Sequence, residues 1–313
     1  MARSRKAKSV AVIGYGSQGR AISRNLRDAG YSVVVGLRPK SHSRSRARKE
    51  GLTVTTIPKA VQDASIICFA FPDHLHAGVY GRSIAPLLTP GVTLWFLHGT
   101  SVHFGLLKPA RGADVILIAP HAPGDAVREA FLADRSLSAF VGVHQNPSGK
   151  AAKTALELAQ AIGIRRKNLV KTSFSKEAVG DLFGEQAVLC GGLAMLVKSG
   201  FETLRKHGWN AENAYLEVAY QLDLIVALIK THGIAGMLSR ISPAAQLGSL
   251  GAGPRIIDRG TRKRMERLFQ EIQSGGFARK LAKLDNRMLA LIRRKLANLT
   301  TPELERAARK FSR

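Results

Sequence analysis

The stretch SVAVIGYGSQG, residues 9–19, decides the fold of the first half of the chain. It opens with an apolar run rich in β-branched side chains, which favours a buried strand. The run leads into a G-x-G-x-x-G motif from Gly14 to Gly19, and residues 20–30 carry apolar side chains at helical spacing. A second apolar run, residues 32–37, completes a strand–turn–helix–strand unit typical of dinucleotide-binding domains.

The glycine-rich turn predicts a nucleotide site. Glycines permit a tight turn and the close approach of a pyrophosphate, whose charge the helix N-terminus attracts. An acid after the second strand would hold the ribose 2′-hydroxyl of NAD, but the chain has RPKSHSR at residues 38–44. Cations and hydroxyls suit a 2′-phosphate, so NADPH is predicted rather than NADH. The alternative is a solvated basic loop.

Further strands alternate with helical segments, which predicts an α/β fold with a doubly wound parallel sheet. The strands are predicted at residues 65–71, 93–97, 114–119 and 138–143.

Three segments that contain histidine follow these strands, where doubly wound sheets bind ligands. They are PDHLH at residues 72–76, HGT at 98–100 and PHAPG at 120–124. Each histidine could be an ordinary loop residue. Their shared position predicts that at least one belongs to a functional site.

The pattern changes after Phe174, where strand-like runs stop and long helical patterns begin. We therefore predict a Rossmann domain at residues 1–173 and an all-helical domain at residues 174–313. Residues 235–254 are rich in Gly, Ser and Pro, and we expect them to form a loop over the site.

Two acids, Asp181 and Glu185, lie four residues apart in an apolar setting. On a helix this spacing places both carboxylates on one face. Carboxylates are costly to bury unless they are paired, protonated or bound to a metal, so the pair predicts a cation site. The alternative is a structural pair that bridges to Lys176. Glu217 and Gln221 repeat the spacing on a later helix.

The composition bounds the other function classes. The formal net charge of +26 raises nucleic-acid binding as an alternative, but aromatic residues are only 6% and no recognition motif is present. Cys68 and Cys190 lie in apolar runs and are expected to be buried, reduced thiols, which favours the cytoplasm. No uninterrupted run of 18 apolar residues and no signal peptide is recognised, so no membrane association is expected.

Several runs together resemble ketol-acid reductoisomerases, also called acetohydroxy-acid isomeroreductases. The resemblance spans nearly the whole chain in order, and the chain length is similar to that of the family's shorter form, whose single helical domain is typically knotted. The matching runs are IGYGSQG (13–19), VGLR (35–38), HG (98–99), VHFG (102–105), AP (119–120), PG (123–124), DLFGEQAVLCGG (181–192), GFETL (200–204) and GPRIID (253–258).

The resemblance implies an NADPH- and Mg²⁺-dependent oxidoreductase of branched-chain amino-acid (valine and isoleucine) biosynthesis. Such an enzyme moves an alkyl group in a 2-acetolactate-type acid and reduces the product by hydride to a 2,3-dihydroxy acid. A homodimer or larger homo-oligomer is also implied, with no membrane or nucleic-acid partner.

The resemblance also assigns site residues. The metal ligands would be Asp181, Glu185 and Glu217, with His98 and His121 joining the first two as catalytic residues, and Ser242 would meet the substrate carboxylate. The cofactor contacts would be Gly14, Tyr15, Gly16, Ser17, Gln18, Gly19, Arg38, Ser41, Ser43, Asp73, His74, Leu75, His76 and Gly124.

The chain departs from the family pattern at several site positions. His121 stands where a lysine is usual, Gln221 where a glutamate is usual, and Pro243 where an asparagine is usual. Arg20 replaces a frequent histidine. Three hypotheses therefore stand side by side: a full reductoisomerase, a paralogue that only reduces a different 2-keto acid, and a non-catalytic nucleotide- or nucleic-acid-binding protein.

Overall fold

The computed structural model describes residues 9–299 and 301–312. The chain divides into two compact units after Gly180. The sequence placed the boundary at residue 174, where helix α8, Phe174–Gly184, begins. The division falls later because the first two turns of α8 bury Phe174 and Ala178, and Phe174 packs into the core of the sheet.

The first unit is built on an eight-stranded sheet with the order β3-β2-β1-β4-β5-β6-β7-β8. Its strands are β1 Ser9–Ile13, β2 Ser32–Gly36, β3 Thr53–Thr55, β4 Ile66–Phe69, β5 Thr93–Phe96, β6 Asp114–Pro120, β7 Ala139–Gln145 and β8 Leu169–Lys171.

The sheet is parallel except at one pair, because β7 runs antiparallel to β6. The predicted doubly wound parallel sheet is confirmed, with one antiparallel pair that the sequence did not indicate. An apolar pattern does not encode strand direction, and antiparallel additions to parallel sheets are common. The sequence also missed β3 and β8, which are three residues long and too short to show a periodicity.

Helices cover both faces of this sheet, as a doubly wound fold requires. Along β1, Val10 and Val12 belong to one apolar core, while Ala11 and Ile13 belong to the other. The helices of the first unit are α1 Ser17–Asp28, α2 Ser43–Lys49, α3 Ile57–Gln62, α4 His76–Val79, α5 Thr100–His103, α6 Gly124–Leu132, α7 Ala151–Ala161 and the start of α8.

The second unit is helical throughout its described residues. Wider π-helical turns, Glu185–Leu189 and Leu216–Tyr220, interrupt two of its helical runs. The helices are α9 Gly191–Lys206, α10 Ala211–Tyr215, α11 Leu222–Leu238, α12 Pro243–Ile256, α13 Arg259–Gln273, α14 Gly276–Ala282, α15 Asn286–Leu299 and α16 Pro302–Lys310. The implied knot stays a prediction.

The loop expected at residues 235–254 is not a loop. Helix α12 occupies most of it, and its start explains why. The side chain of Ser242 accepts a hydrogen bond from the Ala245 N–H, and Pro243 occupies the first helical turn. A side-chain cap followed by proline is a strong helix start, and it outweighs the helix-weakening glycines that follow.

Many apolar side chains of the second unit are exposed in the single chain. Cys190 is exposed rather than buried as predicted, because it lies at the end of a π-helical turn, whereas Cys68 is buried in β4.

Two helical runs, Phe174–Lys206 and Ala211–Leu238, are long and apolar enough to cross a membrane by length and composition alone. Polar residues are scattered through both runs, so neither contains 18 consecutive apolar residues.

Gly14→Ala should destabilise the first unit. Gly14 has a φ of +102°, and an added Cβ would lie 2.2 Å from the Ala70 carbonyl oxygen. We expect a loss of at least about 2 kcal/mol in the free energy of unfolding, measured by urea titration. Gly16→Ala is the matched control, because no atom lies within 4 Å of its added Cβ. Equal stability of the two variants would contradict this account of the turn.

Candidate functional site

A cleft of about 250 Å³ lies at the carboxyl ends of β1, β2 and β4. Its floor and walls are apolar, with Ile57 and Phe71 among them. Predicted cofactor residues make up much of its rim. They are Gly14, Tyr15, Gly16, Arg38, Ser41, Ser43 and Leu75.

The glycine-rich turn fits a diphosphate. Space is open beside Gly16, and α1 starts there with no side-chain cap and no acid in its first turn. The first N–H groups of α1 are therefore available to an anion. Gly19 has a different role, because a Cβ there would lie 2.6 Å from the Gly14 carbonyl oxygen.

The turn is also joined to the loop that follows β6. The Gln18 side chain donates to the Ala122 carbonyl oxygen at 2.7 Å, and the Gly124 N–H donates to Ser17 Oγ at 3.0 Å. A Cβ on Gly124 would lie 2.1 Å from the Ser17 carbonyl oxygen, so glycine is required for this approach. Gln18 Oε1 is buried and accepts no hydrogen bond within the described residues, which leaves it for a donor from a ligand.

Hydrogen bonds from Arg44 stabilise the basic loop after β2. Arg44 donates from Nη1 to the carbonyl oxygens of Leu37 and Thr55, at 3.2 and 3.1 Å. Arg38 remains exposed at the edge of the cleft, with Ser41 beside it. A guanidinium and hydroxyls at this rim suit a phosphate.

Tyr15 is fixed by a network that the sequence did not reveal. Its hydroxyl donates to Glu50 Oε2 at 2.6 Å, and Arg20 donates to the same carboxylate from Nε and Nη2 at 2.9 and 2.7 Å. These hydrogen bonds from Arg20, and the Tyr15 hydroxyl, lower the pKa of Glu50 to about 2. Burial and the Glu50 carboxylate raise the pKa of Tyr15.

The segment from Asp73 to His76 divides between two environments. Leu75 lines the cleft, whereas His76 is buried among phenylalanine rings. His76 Nε2 lies 2.8 Å from the Phe71 carbonyl oxygen and Nδ1 lies 2.8 Å from Ser101 Oγ. Burial lowers the pKa of His76, which favours the neutral ring. The structure therefore places His76 behind the cleft wall.

His98 follows β5 and lies beside a buried acid that sequence reasoning missed. Glu177 is 2% exposed; its Oε1 lies 3.4 Å from His98 Nδ1, and its Oε2 accepts a hydrogen bond from the Gly99 N–H. A Cβ on Gly99 would lie 2.3 Å from the Phe174 carbonyl oxygen, so this approach also needs glycine.

Glu177 extends the acidic face predicted on α8. It precedes Asp181 by four residues, as Asp181 precedes Glu185, so the three carboxylates follow one another on one side of the helical run. The spacing that identified the later pair would have found Glu177 as well. Oxygen ligands of this kind, with retained waters, suit Mg²⁺.

Two predicted metal ligands lie in widened helical turns. Glu185 opens one π-helical segment and Glu217 lies in the other. Such turns are rare and occur often at functional sites. Gln221 follows the second segment, where its side chain donates to the Leu216 carbonyl oxygen at 3.4 Å.

Most of the remaining predicted residues contact neighbouring side chains or backbone. His121 is exposed, with Nδ1 3.1 Å from Ser138 Oγ and its ring against Phe140. Ser242 is exposed and its hydroxyl caps α12. Asp73 accepts a hydrogen bond from Ser101 at 3.2 Å, and His74 is half-buried.

Comparison with known proteins identifies the family. The model of the acetohydroxy acid isomeroreductase NADPH-binding domain matches residues 5–168, and that of the ketol-acid reductoisomerase C-terminal domain matches residues 174–311. The chain belongs to the ketol-acid reductoisomerase family. Both halves match, so the membership does not rest on the nucleotide-binding fold alone.

Individual relatives agree. The ketol-acid reductoisomerase (NADP(+)) of Pyrobaculum aerophilum is 44% identical over 301 residues, covering 96% of this chain and 92% of that protein. The protein of the same name from Beutenbergia cavernae is 45% identical, covering 87% of this chain and 79% of that protein. A solved NADH-preferring ketol-acid reductoisomerase from an uncultured archean has a TM-score of 0.92 and 33% identity, covering 97% of this chain and 95% of that one.

The stability difference between wild type and Glu50→Gln should shrink at low pH. The pKa of Glu50 is about 2 in the folded protein against its usual 4.5. The ionised carboxylate therefore makes its full contribution to the free energy of unfolding when the pH is above 4.5. This contribution is lost as the pH falls from 4.5 toward 2. Urea midpoints of both proteins at about pH 7 and about pH 3.5 measure this. A constant difference at both pH values would contradict the charge network.

Proposed function

We propose that this protein is an NADPH- and Mg²⁺-dependent ketol-acid reductoisomerase of branched-chain amino-acid biosynthesis. It would convert 2-acetolactate-type acids to 2,3-dihydroxy acids in the cytoplasm. The observation that carries the proposal is the pairing of His98 with the buried Glu177, on the helical run that also carries Asp181 and Glu185. A Rossmann domain for nucleotide binding alone has no need of these acids.

The nucleotide cleft supports NADPH as the cofactor. The open turn at Gly16 and the N-terminus of α1 would bind the diphosphate, while Arg38, Ser41 and Ser43 would bind the 2′-phosphate. Gln18 Oε1 offers an acceptor to the cofactor. The NADH-preferring relative shows that this choice is not fixed by family membership, so the basic rim is the argument for NADPH.

Asp181, Glu185 and Glu217 would hold Mg²⁺, which when bound polarises the oxygens of the hydroxy-keto acid. Glu177 orients His98 by accepting from the adjoining Gly99 N–H and by lying beside Nδ1. His98 is half-exposed, so its ring could exchange a proton with the substrate hydroxyl during alkyl migration. Ser242 would meet the substrate carboxylate with its hydroxyl.

A second candidate is a reductase that has lost the isomerisation. His121 and Gln221 favour it, because both replace charged residues that the family usually has. Gln221 supplies a neutral amide where a carboxylate would bind a hard dication more strongly. Alkyl migration depends on charge at the metal centre more than hydride transfer does.

Turnover with two substrates separates these functions. Purified protein with Mg²⁺ should oxidise NADPH when given either 2-acetolactate or 3-hydroxy-3-methyl-2-ketobutyrate. The oxidation is measured as the loss of NADPH absorbance. Oxidation with the second substrate alone would support the reductase. No NADPH binding by the wild-type protein would exclude both.

Gln221→Glu should improve metal binding if the proposal is right. A carboxylate at this position adds a negative charge near the metal, so we expect about a tenfold lower Mg²⁺ concentration for half-maximal turnover of 2-acetolactate. Gln62→Glu, an exposed position on α3, is the control for the added charge. An unchanged Mg²⁺ requirement would count against a metal role for this position.

We also propose that the second unit pairs with that of a second copy. Few of its residues are buried in the single chain, among them Phe201 and Ile272. Large apolar side chains are exposed instead, with Leu247 78%, Ile234 68% and Leu250 68% exposed. A surface of this kind marks an interface.

The protein should therefore elute as a homodimer or larger homo-oligomer without detergent, measured by light scattering after size-exclusion chromatography. Leu247→Glu should reduce its mass toward that of one chain, because a buried charge opposes association. Gln273→Glu, an exposed position on α13, adds the same single negative charge and is the control. A stable monomer, or a need for detergent, would refute the pairing.

A further inference from the structure

A carboxylate at the end of α2 connects two parts of the nucleotide cleft that lie far apart in sequence. Glu50 directly follows α2, and Ser43 at the start of this helix lines the cleft. The Glu50 side chain is only 19% exposed and accepts a hydrogen bond from the Tyr15 hydroxyl at 2.6 Å. Tyr15 belongs to the glycine-rich turn, and its ring lines the same cleft.

A second bond attaches the same carboxylate to α1. Arg20 donates to Glu50 from Nε and Nη2, a two-pronged contact that fixes orientation as well as distance. The Arg20 N–H donates to the Gly16 carbonyl oxygen at 2.9 Å, so Arg20 is itself anchored to the turn. Glu50 thus contacts the glycine-rich turn through one residue within it and one just after it.

Near both ends of α2, arginine side chains make further hydrogen bonds to backbone oxygens. Arg44, in its first turn, bridges the Leu37 and Thr55 carbonyl oxygens beneath the basic loop. Arg27 of α1 donates to the backbone oxygen of Glu50. Since α2 has only seven residues, a shift at Glu50 is transmitted to Ser43 and the loop before it.

Glu50 also pairs with arginines close to the glycine-rich turn. Arg20 is engaged by Glu50 and, at 3.4 Å, by Asp125. Arg46 lies 4.0 Å from the same carboxylate. Arg38 is exposed and lines the cleft, whereas Arg20 and Arg46 are not among its lining residues. Without Glu50, Arg20 would be freed and α2 would lose its attachment to the turn.

We propose that Glu50 is a positioning residue that aligns the glycine-rich turn with the Arg38–Ser43 loop and thereby sets the preference for NADPH over NADH. The inference rests on the proposed function as an NADPH enzyme. Glu50 is not among the residues that line the cleft, so it acts through Tyr15, Arg20 and α2. Its loss should therefore affect cofactor affinity and leave the chemical steps unchanged.

The test is cofactor binding by Glu50→Gln, measured by quenching of tryptophan fluorescence with NADPH and with NADH, without substrate. We expect the Kd for NADPH to rise roughly tenfold, since a charged acceptor shared by two donors is lost. The Kd for NADH should rise less, because NADH lacks the phosphate that the loop would bind. In turnover assays the KM for NADPH should rise while kcat at saturating NADPH stays near wild type.

Two further variants complete the design. Glu129→Gln removes the same charge from an exposed position on α6 and should match wild type. Tyr15→Phe keeps the ring but removes the hydroxyl; it should raise the Kd for NADPH about threefold, and it carries the test alone if Glu50→Gln does not fold. In the double variant, the losses of NADPH affinity caused by Glu50→Gln and Tyr15→Phe should be less than additive, because both remove the Tyr15–Glu50 hydrogen bond.

An unchanged Kd for NADPH, or an equal rise for both cofactors, would overturn the proposal. Because binding is measured without substrate, this outcome is distinct from failure of the proposed function. That failure would appear as absent turnover of 2-acetolactate by the wild-type protein.

Discussion

The arrangement of the candidate site depends on the buried carboxylate of Glu177. A charge at 2% exposure is tolerated only when it is bonded, and here the Gly99 N–H and the His98 ring supply the partners. This contact joins the loop after β5 to the first turns of α8. It therefore fixes the position of His98 and the rotation of α8 about its axis.

Close approaches between backbones maintain the nucleotide cleft in a similar way. Gly14 meets the Ala70 carbonyl oxygen, and Gly124 meets the Ser17 carbonyl oxygen, each at a distance that excludes a side chain. The loops after β1, β4 and β6 are therefore packed directly against one another.

The family membership rests on both halves of the chain, and several residues that depart from the expected family pattern have local partners. Gln221 bonds to the backbone at the end of a π-helical turn, and His121 rests on Phe140. Arg20, which replaces a frequent histidine, is bound by Glu50. Each of these side chains contacts a neighbouring group, so the fold accommodates the three residues.

The sequence by itself determined the strand–turn–helix unit, the six longer strands, the helical second half and the family, because these follow from local periodicity and short motifs. It also predicted a cation site at Asp181 and Glu185, since helical spacing is a local property, and that site stays a prediction. Only the tertiary structure placed Glu177 against Gly99, linked Tyr15 to Glu50 and buried His76 behind the cleft, because these contacts join residues far apart in the chain. The direction of β7 and the helix at residues 243–256 were decided in the same way, by strand pairing and by a cap that composition does not reveal.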